Sequence, residues 1–473
     1  MKKSIHHTIF IITLCLTSQL YADPPPNGNQ TSTLSPILPP TSLPFTISIE
    51  EASFSLPNGI HSGAYGIYKG KWLFLAGRTN GVHGFGSGIE NFPPSQQNTV
   101  VYVVDPQTET VYSRSLHDPK SGLSQQQIDQ LSVTSPQSFY TDTTLYMSGG
   151  YGIDTASNSF NTKSVLTAID MAGLINWVVT PSSKHSAAKY IRQTSHPLLQ
   201  VTGGYMNAID PHLFTLLVFG QNFTGLYTDS SNGNYTEQVR CFQIVDNNNQ
   251  LYIQPRESEA PNPNYRRRDL NVAPIIRNNK QAFVALSGVF TVDVGIWTVP
   301  VFINTDGTSS MADPISPNTF KQGMNNYVSS KVGLYSGSSK DMFIVLLGGI
   351  TYEFFSNGVF DFDEEFPFTN EVTTIKIDKN DNYTQYLMDN QFPVIPSTGS
   401  NPGNTLLFGA GANFLPASGV PLYSNNVVQL DKIKKPTVIG YVVGGIMSTV
   451  PNTNFESDST ASPYIFEIIL TPL

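Results

Sequence analysis

The sequence contains six short apolar runs, each of which ends in one or two small residues, usually glycine. The first five recur about every sixty to seventy residues, and a period of this size indicates a repeat architecture. Such a repeat constrains the fold more strongly than any local motif does. The runs are WLFLAG (Trp72–Gly77), LYMSGG (Leu145–Gly150), FTLLVFG (Phe214–Gly220), AFVALSG (Ala282–Gly288), MFIVLLGG (Met342–Gly349) and VIGYVVGG (Val438–Gly445).

Each repeat shows the same order of predicted strands around its apolar run. A segment rich in small residues comes first, and an alternating strand that often ends in Asp follows the run, as in Val100–Asp105. A last strand carries an aromatic residue, as in Thr110–Leu116 and Ile175–Val179. Continuous apolar strands are typically buried on both faces, whereas alternating strands have two unlike faces. Four antiparallel strands per unit, repeated around a ring, predict an all-β fold of the β-propeller type.

The number of blades follows from how the ring closes. Six four-stranded blades are predicted, with seven as the alternative. The last unit lacks a fourth strand, while Phe45–Leu56 near the N-terminus is an unassigned strand, so we expect it to complete the last blade. If it belonged to the first blade instead, Asn404–Pro436 could contain a strand pair of a seventh blade.

The doubled glycines, the Asp-ended strand and the downstream aromatic resemble the repeats of Kelch-type propellers. Trp177 takes the position of the family's tryptophan in the second unit, and Tyr112 and Tyr252 lie near it in the first and third. Three units keep a single glycine and most lack the tryptophan. The family includes galactose oxidase and exported sialic acid epimerases, but no catalytic set of either can be placed on this chain. Cys241, in an alternating strand, is expected to be a small buried hydrophobe.

The N-terminus predicts export. Lys2 and Lys3 precede the short apolar stretch Ile9–Leu16, which suits the core of a signal peptide over residues 1–22, with cleavage after Ala22. Lipid attachment at Cys15 is the alternative. The expected location is periplasmic or extracellular, and the basic start of the leader is typical of a bacterium.

The mature chain is expected to consist of a spacer and one folded body. Residues 23–43 are rich in Pro, Ser and Thr without an apolar period, so they predict an extended spacer, and residues 44–473 form the propeller. No transmembrane segment is expected, and the protein is predicted to be a monomer. The net charge of -9 argues against a nucleic-acid partner. The single basic cluster, Tyr265–Asp269, is interpreted as a solvated loop.

Function in a propeller is expected on the loops around its axis, because the blades are packed core. The loops that follow the glycines here are long and rich in Asn, Ser, Gly, Phe and Tyr, a mixture that suits recognition of a glycan or a protein. The alternative is that these loops only cover the face and bind nothing. The candidate ligand-binding residues are Arg78, His83, Tyr151 and Asn222.

A metal or catalytic site is predicted less strongly. Asp361, Asp363, Glu364 and Glu365 concentrate carboxylates in one loop, so calcium is conceivable, although a solvated acidic loop is the favoured interpretation and no cofactor is expected. Catalytic residues are not identified. A carbohydrate-active enzyme of epimerase, lyase or oxidase type is the alternative function, and it would require an acid–base pair at the mouth of the channel.

Overall fold

The computed structural model describes residues 34–84, 91–182, 184–210, 213–228, 233–247, 250–289, 291, 295–356, 359–363, 366–453 and 455–473. The predicted signal peptide and residues 23–33 of the predicted spacer lie outside these residues. Within the described part, antiparallel sheets follow one another along the chain. Sheet 1 contains Ala64–Tyr68, Lys71–Leu75, Val100–Asp105 and Thr110–Ser115; sheet 2 contains Gln137–Tyr140, Thr144–Ser148, Val165–Asp170 and Ile191–Ser195; sheet 3 contains Tyr205–Asp210, Phe214–Val218, Val239–Asp246 and Leu251–Pro255.

The later sheets repeat this order, with one exception in strand number. Sheet 4 contains Asn271–Arg277, Lys280–Leu286, Val301–Asn304 and Ser309–Met311; sheet 5 contains Ser330–Tyr335, Met342–Ile350, Phe368–Ile377 and Tyr383–Leu387, with Ile37–Leu38 and Val428–Gln429 on its edges; sheet 6 contains Asn413–Pro416, Thr437–Val443, Ile465–Pro472 and Phe45–Glu51. The expectation of six four-stranded blades is therefore wrong. Among the described residues five sheets have four strands, and sheet 5 has six because two short parallel strands extend it.

Successive sheets pack face to face and enclose apolar clusters between them. Leu73 and Leu75 of sheet 1 pack with Leu145 and Met147 of sheet 2, all of them buried. The ring closes in the same way, since Trp72 of sheet 1 lies 5.0 Å from the ring of Tyr441 in sheet 6. The arrangement is that of a β-propeller, and each sheet buries both faces except along its outer edge.

The N-terminal strand closes the ring in sheet 6, as the sequence indicates. Phe45–Glu51 pairs antiparallel with Ile465–Pro472, with Phe45 opposite Pro472. The stretch 404–436 supplies the first strand of the same sheet, Asn413–Pro416, and an edge strand of sheet 5. Pairing of the two chain ends removes an open edge from the ring.

The apolar runs end in two consecutive residues with left-handed backbone. The second residue of each pair is glycine with φ between 84° and 104°, whereas the first has φ between 52° and 70° and varies in type. At Gly77, a Cβ would lie 2.2 Å from the carbonyl oxygen of His61, so glycine is required there. The pairs are Ala76-Gly77, Gly149-Gly150, Phe219-Gly220, Ser287-Gly288, Gly348-Gly349 and Gly444-Gly445.

Some of the loops after these glycines contain short hairpins. Their strands are Tyr151–Asp154 with Ser159–Thr162, Gln221–Asn222 with Asn234–Tyr235, Glu353–Ser356 with Val359–Phe362, and Ile446–Ser448 with Ser459–Ala461.

The predicted strand Ile175–Val179 is wrong, because this segment is helical. Helix α2, Met171–Val179, begins after Asp170, whose carboxylate accepts a hydrogen bond from the amide of Gly173 at 3.1 Å. Trp177 is fully buried, with the Arg114 guanidinium 4.2 Å from its ring. It therefore packs from a helix rather than from a blade strand. Helix α1, Gln125–Leu131, begins with a capping box between Ser124 and Gln127.

Part of the predicted spacer belongs to the folded body. Ile37–Leu38 pairs with Tyr383–Leu387, and Pro40–Ser42 forms one of several short 3-10 turns. Leu43 is buried in the cluster between sheets 5 and 6. The folded body thus extends N-terminal to the predicted boundary at Pro44. The remaining 3-10 turns are Pro94–Gln96, Ala187–Tyr190, Pro197–Leu199, Pro263–Tyr265, Leu430–Lys432 and Glu456–Asp458. In the described part of the chain, every helix is too short or too polar to cross a membrane.

Candidate functional site at the propeller axis

A ring of residues with left-handed backbone surrounds the axis where the chain enters each first strand. Backbone amides in this ring donate to the carbonyl oxygen of a ring residue from the neighbouring sheet, as from Ser135 to Ser62 at 2.9 Å and from Asp269 to Gly203 at 2.8 Å. The first and last members of the ring are also linked, because the amide of Ser62 donates to the carbonyl of Gly411 at 3.3 Å. We call this set the axial ring, and its members are Ser62, Ser135, Gly203, Asp269, Val328 and Gly411.

The residue before each ring member pairs with the start of a rim loop. His61 pairs with Arg78, and Thr134 pairs with Tyr151. The residues just after the left-handed pairs therefore lie beside the axis, and this explains why two predicted site residues from different sheets come close together. In sheet 3 the equivalent residue is Gln221, which pairs with Thr202.

One aromatic residue, Phe92, contacts three of the four predicted site residues. The Arg78 guanidinium lies 4.2 Å from the ring of Phe92, and the His83 and Tyr151 rings lie 4.7 Å and 5.3 Å from it. The Tyr151 hydroxyl donates to the carbonyl of Gly225 at 2.6 Å, which anchors the next rim loop. Arg78, His83 and Tyr151 thus form one cluster, which we call the rim cluster.

Asn222 lies one residue beyond the equivalent position. It pairs with Asn234 in a hairpin, and its side-chain oxygen is buried without a hydrogen-bond partner in the described structure. The ring of the neighbouring Phe223 lies 5.6 Å from the ring of Tyr151. Phe223, rather than Asn222, therefore contacts the rim cluster. No contact between Asn222 and the other three candidates is seen in the described residues.

The rim cluster also contains residues that the sequence did not single out. Tyr227 lies 4.8 Å from the His83 ring, and its hydroxyl accepts a hydrogen bond from Arg268 at 2.8 Å. Arg268 in turn lies 3.8 Å from the carboxylate of Asp269 in the axial ring. A second guanidinium and a carboxylate therefore join the cluster from sheet 4.

The basic cluster Tyr265–Asp269 is not the solvated loop that was expected. Arg267 has no exposed surface, and its guanidinium donates to the carbonyls of Ser287 at 3.3 Å and Val299 at 2.9 Å. Burial lowers the pKa of Arg267 to about 9. A run of three arginines indicates solvent exposure when only charge is considered, but Arg267 is buried and Arg266 and Arg268 are partly buried. Charge composition gave no signal of this burial.

Burial and nearby guanidinium groups keep the histidines of this region neutral. Burial, reinforced by Arg78, lowers the pKa of His61 to about 3, and burial also lowers the pKa of His83 to about 3. Burial raises the pKa of Asp269, while Arg268 opposes the rise. The cluster therefore offers guanidinium and phenol donors, neutral imidazoles and a carboxyl group that retains its proton more readily than usual.

Little space remains inside the rim cluster. A cavity of about 10 Å³ lies between Arg78, Phe92, Gln97 and Tyr151, which is room for about one water molecule. Arg78 itself is only 2% exposed, whereas His83, Tyr227 and Arg268 are partly exposed. Any ligand would therefore contact the exposed members from outside the cluster.

Of the four residues of the acidic loop, only Asp363 has a described side chain. Asp361 lies in a hairpin strand opposite Phe354, and Asp363 accepts a hydrogen bond from the side chain of Asn452 at 2.8 Å. Glu364 and Glu365 lie outside the described residues. Within the described part of the chain, no three His, Cys, Asp or Glu side chains are grouped so that they could hold an ion.

Cys241 lies away from the axis, in the cluster between sheets 3 and 4. Its side chain is buried, and burial raises the pKa of its thiol to about 11. A thiol in such surroundings stays protonated at neutral pH, which agrees with a structural role.

Comparison with known proteins finds structural matches but no matching family model or curated protein. The Kelch resemblance therefore has no support from a family model. The structure of YjhT is among the solved structures that match, with a TM-score of 0.43 and 10% sequence identity over 88% of this chain and 98% of that chain. A similarity at this level carries no argument about activity. The strand order, the register and the closure of the ring identify the fold of this chain as a β-propeller.

Proposed function

We propose that this protein is a binding module that recognises a glycan or a protein through its rim cluster. The supporting observation is the convergence of Arg78, His83 and Tyr151, which come from two sheets and meet Tyr227 and Arg268 at the axis. Aromatic faces beside guanidinium groups supply stacking and charged hydrogen bonds in one place, and this combination suits sugars and peptides alike.

The test is a glycan-array screen of the mature protein, residues 23–473, with and without calcium. The variant His83→Ala with Arg268→Gln removes two partly exposed members of the cluster while leaving the buried Arg78 in place. Arg256→Gln is the matched control, because Arg256 is an exposed arginine at the end of a strand. Discrete hits that the double variant loses by tenfold or more, and the control retains, would support the proposal. Hits that both variants retain would place the binding site elsewhere.

A protein ligand is the second form of the same proposal. If the array is blank, immobilised mature protein and its double variant are compared for capture of surface proteins from the native host. A partner that binds the parent and the Arg256→Gln control but not the double variant would support a protein-binding rim. Equal capture by all three would exclude the rim cluster as the binding site.

A carbohydrate-active enzyme is the alternative function, and Asp269 favours it. Its carboxyl group has a raised pKa, lies 3.8 Å from Arg268 and raises the pKa of Tyr327 together with burial. A carboxyl group beside a guanidinium and a phenol is a plausible acid–base set. Incubation of any sugar found on the array, followed by NMR, should then show conversion that Asp269→Asn abolishes. An unchanged sugar spectrum would show that the protein binds the sugar without converting it.

Export is a further part of the proposal. The basic start, the apolar stretch Ile9–Leu16 and Ala22 support cleavage of a signal peptide and release to the periplasm or the medium. Mass spectrometry of the protein from its native host should give an N-terminus at Asp23. Recovery of the protein with an intact N-terminus from the cytosol would contradict export.

A further inference from the structure

Where the first strands of the sheets begin, on what we call the strand side of the axial ring, one lysine has no acidic partner among the described residues. Lys331 is the second residue of the first strand of sheet 5, and its ammonium nitrogen lies 6.0 Å from the ring of Tyr205. In the described residues no carboxylate or carbonyl accepts a hydrogen bond from it. A half-buried ammonium group with no counter-charge is costly unless water or an anion compensates it.

Tyrosines of the first strands supply further polar groups near Lys331 and Tyr205. Tyr65, from the first strand of sheet 1, lies 5.9 Å from the ring of Tyr140, and its charge contributes to raising the pKa of Tyr205. The side chain of Asn207 donates to the Tyr205 oxygen at 2.6 Å, so the Tyr205 hydroxyl proton is left to donate elsewhere. The lysine and the tyrosines are thus donors, and no described acidic group faces them.

We propose that this side of the axis binds a small oxyanion, such as a carboxylate group, between Lys331 and the hydroxyls of Tyr65 and Tyr205. Ammonium and phenol groups are strong donors to carboxylate oxygens, and the surrounding protein strengthens these bonds by excluding water. The site is distinct from the rim cluster, because Lys331 lies in the first strand of sheet 5, whereas the rim residues lie in the loops after the left-handed pairs and in the turn before sheet 4. The proposal therefore stands independently of the proposed function.

The ionisation of Lys331 agrees with this geometry. Burial lowers the pKa of Lys331 to about 8, and no neighbouring charge opposes the change. The titratable groups that face it are tyrosines, and burial raises the pKa of Tyr65, Tyr140 and Tyr205. A bound anion would stabilise the charged lysine, so it should raise the pKa of Lys331.

The experiment is a pH titration of ¹³C-lysine-labelled full-length mature protein by NMR, with Lys331→Arg used to assign the signal. In sodium chloride we expect Lys331 to titrate near 8, and in sodium acetate at equal ionic strength we expect its pKa to rise by about one unit or more. The exposed Lys280 is the internal control, and its chemical shift at any one pH should be the same in both salts. An identical Lys331 pKa in the two salts would overturn the proposal.

A second variant separates loss of the site from loss of the fold. Tyr205→Phe keeps the ring that contacts Lys331 and removes the hydroxyl. We expect Lys331 still to titrate in this variant, while its affinity for acetate falls by roughly tenfold, as the loss of one charge-assisted hydrogen bond predicts. Unchanged acetate affinity would show that Tyr205 is not part of the site and would overturn its assignment.

Discussion

On the rim side of the axial ring, Arg268 donates to Tyr227 and lies 3.8 Å from Asp269. On the strand side, the Lys331 ammonium group lies 6.0 Å from the Tyr205 ring and forms no ion pair or hydrogen bond with another described residue. One region compensates its charges internally and the other does not. A compensated cluster keeps its geometry without a ligand, while an uncompensated cation is stabilised by binding one. The comparison predicts that mutations on the two sides change stability in opposite directions.

The largest loss of stability is expected at Gly77, in backbone on which both the rim side and the strand side of the axial ring depend. Gly77→Ala should destabilise the protein by about 4 kcal/mol, because its Cβ would lie 2.2 Å from the His61 carbonyl oxygen at φ +84°. Gly70→Ala is the matched control, since Gly70 has φ +79° with no atom within 4 Å of its Cβ, and should cost about 1 kcal/mol. Urea denaturation measures both. Equal losses of stability would show that the left-handed backbone, rather than the close approach to the His61 carbonyl oxygen, requires glycine at position 77.

The next largest effect is a loss of stability at low pH, which is caused by His83 on the rim side. The pKa of His83 is about 3 in the folded protein, against an ordinary value of 6.5, so the unfolded chain binds the extra proton between these values. Stability should fall as the pH is lowered from 6.5 towards 3, by roughly 3 kcal/mol for this residue. His83→Phe keeps the ring stacking and should reduce the decline in stability measured by denaturation from pH 7 to 4. The remaining decline is expected from His61, whose pKa is also about 3 in the folded protein. The exposed His117→Gln should leave the decline in place.

A smaller loss of stability is expected when a charged residue of the rim side is replaced. Arg268→Met should destabilise the protein at pH 7 by about 2 kcal/mol, because Asp269 loses its partner and Tyr227 loses a donor. Restoring the balance with Asp269→Asn in the same chain should recover part of that loss. A double variant that is no more stable than Arg268→Met would show that the pair is not coupled.

The smallest effect has the opposite sign and belongs to the strand side. Lys331→Met should stabilise the protein by about 1 kcal/mol at pH 7, because it removes a half-buried charge that has no counter-charge. The folded pKa of Lys331 is about 8 and the ordinary value is 10.5, so parent stability should rise as the pH increases from 8 to 10.5. Thermal unfolding across this range should show the rise in the parent and its loss in Lys331→Met. A destabilised variant would mean that Lys331 has a structural partner.

The fold was readable from the sequence where local and global requirements coincide. The glycine at the end of each apolar run marks a backbone position that other residues cannot occupy, and the unassigned strand Phe45–Leu56 indicated how the ring closes. The segment Ile175–Val179 was wrongly predicted as a strand, because its apolar residues fit a strand as well as the buried face of a helix. Asp170 provides an N-cap, and packing between sheets decided in favour of the helix.

The candidate site was readable only in part. Arg78 and Tyr151 could be found because they follow the repeated glycines directly, whereas Asn222 missed the equivalent position by one residue. Arg268 and Asp269 were missed because charge composition predicts solvent exposure. Two short edge strands also changed sheet 5, since pairing of Ile37–Leu38 and Val428–Gln429 depends on a sheet edge that only the assembled ring offers.

By itself the sequence determined the repeated strand pattern, the glycine positions and the closure of the ring, because these follow from periodicity and from backbone conformations that few residues adopt. Only the tertiary structure decided which side chains meet at the axis. A ring of hydrogen bonds brings together residues that lie tens to hundreds of positions apart, and the assembled propeller places Arg268 beside Tyr227 but Lys331 beside Tyr205. Charge compensation depends on those distances, which no local pattern encodes.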